Sequence, residues 1–184
     1  MNSLLITIVF LTQNVDFDRS QVAGFVEAYK AKYEAQIGQP IEYKVRYLNT
    51  KACSKWANDI GTSARANRWY CLAGLARRRF SKRQRAIHFL VPPVVVNGVK
   101  WMSGVSSMKC NSAISYSVIE NFNSKGEARR LNSAVAMAHE IGHSLGAEHL
   151  NTPTVMHPGA LALVKDKLLD FDPESVQEVR NGCF

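Results

Sequence analysis

The chain has 184 residues, of which 46% are hydrophobic and 21% are charged, and this composition suits one globular domain over residues 1–184 with a sizeable core. No segment approaches the roughly 20 consecutive apolar residues of a membrane-spanning helix, so we expect no membrane span. No internal repeat or low-complexity tract occurs, which excludes a repeat architecture. The formal net charge is +8, which suits an anionic partner. We expect a monomer.

The apolar run Leu4–Leu11 has two interpretations. One is the apolar part of a secretion signal, and the other is the first strand of the domain. No basic region precedes the run and no small-residue cleavage site follows it. A buried strand over Ser3–Thr12 is therefore favoured.

The remaining periodicity predicts helices and strands in an order typical of an α/β protein. Strand, helix, strand and helix are followed by several strands, a strongly apolar helix and a last helix. The predicted elements are a helix at Asp18–Ile37, a strand at Ile41–Leu48, a helix from Ser54 to about Arg68 with an optional continuation to Phe80, a buried strand at Ala86–Val96 broken at Pro92 and Pro93, strands at Trp101–Met108 and Ala113–Glu120, a helix at Leu131–Leu145 capped by Asn132 or Ser133, and a helix starting at Asp172-Pro173-Glu174. We therefore predict an α/β (α+β) fold, with a mixed twisted sheet and packed helices.

Residues 139–149 form the pattern H-E-x-x-H-x-x-G-x-x-H. On a helix, positions i and i+4 share one face, so His139 and His143 can direct their imidazoles at one point, with Glu140 beside them. Gly146 falls where the helix must end, because glycine takes the positive φ of a helix C-terminal turn. The chain can then bend back to bring in His149. Three imidazoles with one open position are typical of a catalytic zinc site, so we predict one catalytic Zn²⁺.

The helix that carries this pattern supports the metal interpretation. The segment Leu131–Leu145 is apolar on nearly every side, which predicts a buried helix. Two histidines and a glutamate inside it would be costly unless a metal with a bound water satisfied them. Satisfied core histidines are the alternative, but three histidines at this spacing beside Glu140 and Gly146 favour the metal.

The pattern resembles the signature of the metzincin clan of zinc endopeptidases. The segment Thr154-Val155-Met156-His157-Pro158 is similar to the methionine turn of that clan, in which Met156 would form an apolar floor beneath the histidines. The stretch His139–Gly146 is similar to that of the matrixins. Pro158 stands where astacins and serralysins have a metal-reaching tyrosine, so that switch should be lacking. No segment resembles the calcium and zinc loop of matrixins, and calcium binding is left open. The specific motifs cover Leu131–Pro158.

The resemblance implies a metzincin-like architecture and a reaction. Residues 1–149 would form an upper subdomain with the zinc helix at the cleft, and residues 150–184 a small lower subdomain. The implied activity is a zinc-dependent endopeptidase that hydrolyses internal peptide bonds of proteins or peptides. Zinc would acidify a water molecule, and Glu140 would take its proton and deliver it to the leaving amine. An extended substrate would pair with an edge strand, which we place within Ala113–Glu120.

Two other functions are alternatives to an endopeptidase. One is a zinc-bearing binding module without turnover, and an intact Glu140 argues against it. The other is a peptidase restricted to chain ends. No group that would capture a terminal amine or carboxylate is evident in the sequence.

The four cysteines allow three disulfide pairings. Together with the protease motif they indicate an oxidising compartment, so we expect a secreted or extracytoplasmic protein. By resemblance to the adamalysins we expect Cys110–Cys183, with Cys53–Cys71 as the default second pair. Four reduced cysteines in a cytoplasmic protein are the alternative.

A cluster of positive charges follows the second predicted helix. It consists of Arg77, Arg78, Arg79, Lys82, Arg83 and Arg85. Such a patch is compatible with a polyanion such as a glycosaminoglycan, a nucleic acid or an anionic surface. We favour a solvated helix end and loop, because no aromatic stacking platform accompanies the charges.

Overall fold

The structure is a computed structural model, and it describes residues 4–11, 19–48, 53, 62–80, 86–91, 94–96, 99–101, 104–107, 113–118, 127–160 and 169–183. Within this part of the chain, the helices are all too short or too polar to cross a bilayer.

A five-stranded mixed sheet forms the centre of the molecule. Its strands are β1 (Leu4–Leu11), β2 (Ile41–Leu48), β3 (Ala86–Val91), β6 (Gly104–Ser106) and β7 (Ala113–Val118), and two further strands, β4 (Val94–Val96) and β5 (Val99–Trp101), form a separate antiparallel hairpin. The order across the sheet is β2-β1-β3-β7-β6. The first four strands are parallel, and β6 joins β7 in the antiparallel direction. The predicted mixed α/β fold is confirmed.

Helices cover both faces of this sheet. Successive side chains of a strand point to opposite faces, so each face has its own apolar cluster that a helix can bury. The helices are α1 (Arg19–Ile37), α2 (Thr62–Arg79), α3 (Glu127–Ser144) and α4 (Pro173–Cys183). Ala86 and Leu90 of β3 pack in the larger cluster with α1 and α3. Ile87, Phe89 and Val91 pack in a second cluster with α2. The helix that carries the histidine motif, α3, therefore lies on the same face of the sheet as α1 and on the face opposite α2.

The first strand is buried, as predicted. Ile6 and Ile8 of β1 are fully buried in the larger cluster, between the two parallel neighbours of the strand. The same cluster also contains Val155, Phe171 and Val179, which come after the motif. One core therefore joins the sheet to the residues that follow His149, and the division into two subdomains stays a prediction.

The predicted break of the strand Ala86–Val96 at Pro92 and Pro93 is confirmed, since β3 ends at Val91 and β4 starts at Val94. The part after the break was not predicted to leave the main sheet, but β4 pairs with β5 outside it. The predicted strand Trp101–Met108 is also divided and was wrong in its limits, because Trp101 belongs to β5 and only Gly104–Ser106 joins the main sheet. Prolines 92 and 93 stand at the first division and cannot donate to a strand ladder, which explains the break.

The helix predictions differ from the structure mainly at the helix starts. Helix α2 runs to Arg79, so the longer alternative for this helix is confirmed, while residues 54–61 lie outside the described residues. The predicted cap at Asn132 or Ser133 was wrong, because both residues lie inside α3, which already runs from Glu127. The residues that precede them include Ala128, Arg129 and Arg130, all good helix formers, so the helix extends towards the N-terminus.

The last helix starts as predicted. The carboxylate of Asp172 accepts hydrogen bonds from the backbone N–H of Ser175 at 2.8 Å and from its hydroxyl at 2.9 Å, which is the geometry of an N-cap. Thr154 donates to the same carboxylate at 3.0 Å. Burial works to raise the pKa of Asp172, but these hydrogen bonds outweigh it and hold the pKa below its ordinary value.

One of the two expected disulfides is present. Cys53 and Cys71 are bonded, with an S–S distance of 2.08 Å and their Cα atoms 5.7 Å apart. The bond ties the middle of α2 to Cys53, which precedes the helix. The expected Cys110–Cys183 pair lies outside the residues whose side chains are described.

Candidate metal centre

Three histidines converge at one point, as the motif predicted. The Nε2 atoms of His139 and His143 are 3.2 Å apart, and that of His149 lies 3.1 Å from the first and 3.0 Å from the second. Within the part of the chain that the structure describes, this is a cluster of side chains that could hold a metal ion.

The end of α3 brings the third histidine back to the other two. The helix closes with the paired hydrogen bonds of a Schellman motif, from Gly146 N to His143 O and from Ala147 N to Gly142 O, both at 3.0 Å. Gly146 has a φ of 100°, which an L side chain rarely adopts. The predicted role of Gly146 is confirmed, and the reversal places His149 against the first two imidazoles.

Backbone carbonyls orient two of the three imidazoles. His139 Nδ1 donates to Val155 O at 2.6 Å, and His143 Nδ1 donates to Ala147 O at 2.7 Å. A carbonyl can only accept, so the proton is on Nδ1 and the lone pair of each Nε2 faces the centre. The helix-ending turn thus terminates α3 and also holds His143 in the tautomer that a metal requires.

The donor set fits a divalent ion such as zinc. A tetrahedral ion with bonds of about 2.0–2.1 Å separates its ligand atoms by about 3.3–3.4 Å, close to the distances found here. Burial lowers the pKa of His139 to about 4 and also lowers the pKa of His143. Neutral imidazoles whose lone pairs point at one another repel, and a cation at the centre would relieve that repulsion.

Glu140 lies beside the three histidines. Its side chain is buried and lines a cleft of about 520 Å³ that the histidines also line. The other described residues around this cleft are Gly104, Ser106 and Glu148. The structure therefore brings together all four residues that the sequence assigned to the site.

The strand that borders the cleft is β6, and the prediction of an edge strand within Ala113–Glu120 was wrong. That segment contains β7, which is paired on both sides, with β3 and with β6. Among the strands of the described residues, β6 is at the end of the sheet, so its outer backbone groups face away from β7. Gly104 of this strand lies so close to Glu140 that an added methyl group would come within 2.3 Å of the carboxylate Oε1.

Sequence reasoning missed Gly104 and Ser106 as residues of the site. The available signal was a lone glycine in a short strand, which often marks a close approach of another group. That signal does not identify the group that approaches. Only the sheet order places the glycine against α3.

Met156 lies beneath the helix that carries the histidines. It is fully buried, and its sulfur is 2.5 Å from the position that a methyl group on Gly142 would take. The backbone carbonyl of Met156 accepts a hydrogen bond from Leu150 N at 3.2 Å. Met156 is thus packed against the turn of α3 between His139 and His143.

The basic cluster is described only in part. Arg77, Arg78 and Arg79 are exposed in the last turn of α2, while Lys82, Arg83 and Arg85 lie outside the described residues. Basic residues at a helix C-terminus also interact favourably with the helix dipole. Binding of a polyanion by this cluster stays a prediction.

Known structures share the fold of this chain. An archaemetzincin from Methanopyrus kandleri superposes with a TM-score of 0.65, over 98% of this chain and 95% of its own, at 14% sequence identity. Metalloproteinase-II from Bacteroides fragilis superposes with a TM-score of 0.59 over 97% of this chain, also at 14% identity, and this chain spans about half (52%) of its length. No protein-family model matches the sequence, and no curated protein matches it in sequence. The fold of this chain is therefore similar to that of the archaemetzincin, as the resemblance of the motif implied.

Proposed function

We propose that the protein is a zinc-dependent endopeptidase in which His139, His143 and His149 hold one zinc ion and Glu140 is the general base. The observation that carries this proposal is the convergence of three Nε2 atoms within 3.2 Å of one another, beside a buried glutamate in the same cleft. The similarity of the fold to an archaemetzincin and to a protein named metalloproteinase-II supports it.

The chemistry follows from the residues of the cleft. A bound zinc ion would supply a Lewis acid that lowers the pKa of a water molecule and polarises the scissile carbonyl. Glu140 takes a proton from the attacking water and passes it to the leaving amine. The carbonyls of Val155 and Ala147 keep two imidazoles in the ligating tautomer. Met156 forms the apolar floor beneath the helix turn.

Substrate binding follows from the position of β6. An extended peptide adds to the outer edge of β6 through main-chain hydrogen bonds, next to Glu140. Main-chain pairing requires neither end of the substrate, which supports cleavage of internal bonds. The bound peptide lies alongside β6, and Gly104 leaves room for the carboxylate of Glu140.

A peptidase restricted to amino ends is the second candidate. Glu148 is exposed and lines the same cleft, and its carboxylate is of the right charge to bind a terminal ammonium group. An endopeptidase should cut a peptide equally well with a free or an acetylated amino terminus. An aminopeptidase should cut only the free form.

The experiment is a digestion mapped by mass spectrometry. An unfolded protein and paired free and acetylated peptides are incubated with the wild type, with the wild type plus a zinc chelator, and with Glu140→Ala. Internal cuts in both peptide forms, lost with the chelator and in Glu140→Ala, support the proposal. Cuts only next to free amino termini would replace it with the second candidate, and cuts that persist in Glu140→Ala would contradict the role of that residue.

We further propose that the protein works in an oxidising compartment, as a secreted or extracytoplasmic enzyme. The Cys53–Cys71 bond supports this, because structural disulfides persist mainly outside the reducing cytosol. Thiol labelling of protein isolated from its native source, without reducing agent, tests the proposal. Labelling of Cys53 and Cys71 before reduction would contradict it.

A further inference from the structure

A row of polar side chains crosses the sheet directly beneath α3. Ser115 of β7 pairs in register with His88 of β3 on one side and with Ser106 of β6 on the other. Residues paired in register point to the same face of a sheet, so the three side chains form a line. Ser144 of α3 meets this line, with its hydroxyl 2.9 Å from that of Ser115 and 2.9 Å from that of Ser106.

His88 anchors the inner end of the row. Its side chain is fully buried, with Nδ1 2.8 Å from the Ser115 hydroxyl and Nε2 2.9 Å from the Ser117 hydroxyl. Burial lowers the pKa of His88 to about 3, so the ring is neutral and has one N–H and one lone pair. In either tautomer it donates to one serine and accepts from the other. A buried network whose members are all paired is rigid, because breaking one bond leaves a desolvated polar group.

The outer end of the row reaches the metal centre. Ser106 lines the same cleft as Glu140, and it belongs to a strand of three residues. Within the segments that the structure describes, β7 is the one strand that pairs with it. Such a short edge strand has few backbone hydrogen bonds to fix its position. The Ser106–Ser144 hydrogen bond joins it directly to α3, one residue after His143.

We propose that Ser144 and Ser106 are positioning residues, whose hydrogen bond fixes the substrate-receiving strand β6 against Glu140 on α3. The inference rests on the proposed peptidase function. In a hydrolase, the rate depends on the alignment of the attacked bond with the base, and a displacement of about 1 Å can cost about 100-fold. Loss of the single Ser106–Ser144 hydrogen bond should reduce the rate by less than that factor.

The kinetic test uses Ser144→Ala and Ser106→Ala, with Ser117→Ala as the matched control. The control removes another buried serine hydroxyl of β7, one that bonds to His88 and not to Ser106 or Ser144. We expect kcat of each of the first two variants to fall about 10-fold while KM stays within about twofold, because backbone pairing is kept and alignment is lost. Ser117→Ala should keep the kcat of the wild type, even if its unfolding midpoint falls. Unchanged kcat in all three variants would overturn the inference.

The double variant Ser106→Ala/Ser144→Ala sharpens the test. If the two hydroxyls act through one bond, the double variant should be about as slow as the slower single variant. Losses in kcat that multiply would mean two independent effects and would overturn the inference. Since Ser106 is at the sheet edge, its variant remains informative if the buried Ser144→Ala fails to fold.

Hydrogen exchange separates this inference from the proposed function. Amides of Gly104–Ser107 should exchange at least about 10-fold faster in Ser144→Ala than in Ser117→Ala, because β6 opens more often without its tether. This readout does not need turnover. A wild type without peptidase activity would refute the proposed function. Equal amide exchange of β6 in Ser144→Ala and Ser117→Ala would refute the claim that the Ser106–Ser144 hydrogen bond holds β6 in place.

Discussion

The Cα of Gly104 lies against the carboxylate of Glu140, so close that a methyl group there would come within 2.4 Å of three atoms of the glutamate side chain. One residue belongs to the edge strand β6 and the other to the helix that carries the histidines. Strand β6 and the proposed general base are therefore in direct contact. A glycine at this position leaves the space that the carboxylate of Glu140 occupies.

Replacement of this glycine should impair catalysis more than metal binding. In Gly104→Ala the methyl group must displace Glu140, β6 or both, and we expect kcat/KM to fall about 100-fold. Zinc content should remain near one ion per chain, because the three histidines are not touched. The control is Gly74→Ala in α2, where nothing lies within 4 Å of the added methyl group, and it should cleave at the rate of the wild type. Full activity in Gly104→Ala would contradict the contact.

The packing of Met156 under α3 predicts an unusual response to a glycine-to-alanine change in a helix. Gly24→Ala in α1 meets nothing within 4 Å and should be neutral or stabilise the protein by up to about 1 kcal/mol. Gly142→Ala would place a methyl group 2.5 Å from the Met156 sulfur, and this change should destabilise the protein by about 1–3 kcal/mol. Urea unfolding measures both changes.

A compensating change tests whether that sulfur is the cause. Met156→Ala removes the obstructing side chain, so adding Gly142→Ala to it should cost much less than Gly142→Ala costs alone. Equal costs in the two backgrounds would show that the steric contact is not the source of the instability.

The burial of His88 predicts a pH dependence of stability. Its folded pKa of about 3 lies below the unfolded value of about 6.5, so the unfolded chain takes up the proton first as the pH falls. This group therefore contributes stability above pH 6.5, which is lost progressively towards pH 3. Between pH 7 and pH 5 the loss should be about 2 kcal/mol.

The variant His88→Gln isolates this contribution, because it removes the titrating ring and keeps two polar atoms. It should be less stable than the wild type at pH 7, and the difference in the free energy of unfolding should narrow by about 2 kcal/mol at pH 5. Contributions of other titrating groups cancel in the difference. If the difference in the free energy of unfolding between His88→Gln and the wild type stayed constant with pH, His88 would not be buried in its neutral form.

The Cys53–Cys71 disulfide should stabilise the fold without taking part in the chemistry. It closes a loop with a sequence separation of 18 and is attached to α2, which packs on the face of the sheet opposite α3. We expect Cys53→Ala/Cys71→Ala to lower the free energy of unfolding by about 2–4 kcal/mol. Zinc content and cleavage rate of the folded variant should match the wild type. Lost zinc at a temperature where the variant is folded would contradict this separation of roles.

The candidate metal centre could be predicted from sequence because most of it is local. His139, Glu140 and His143 are arranged by helix periodicity alone, and Gly146 needs only the geometry of a helix end. His149 follows within three residues of that glycine. No knowledge of distant contacts was required to place the histidines together.

The residues around the metal centre could not be predicted in the same way. By resemblance, the edge strand was assigned to the segment of β7, and the assignment was wrong because strand order depends on pairing between distant residues. The prediction of a helix cap at Asn132 or Ser133 was wrong because the residues that precede them also favour a helix. His88 followed by the alternating Ser115 and Ser117 offered a signal, since a buried histidine needs partners. Only the strand register shows that these serines are the partners.

The most direct test of the account is a titration of the metal-free protein with zinc, in which cleavage of an amino-acetylated peptide and bound zinc are measured on the same samples. We predict that activity is absent at the start, rises in proportion to bound zinc and stops rising at one ion per chain. Glu140→Ala should bind the same single ion without gaining activity, and His143→Ala should fail to bind it at the same concentrations. Full cleavage by the metal-free protein, or a saturated site in His143→Ala, would contradict a zinc peptidase built on His139, His143 and His149.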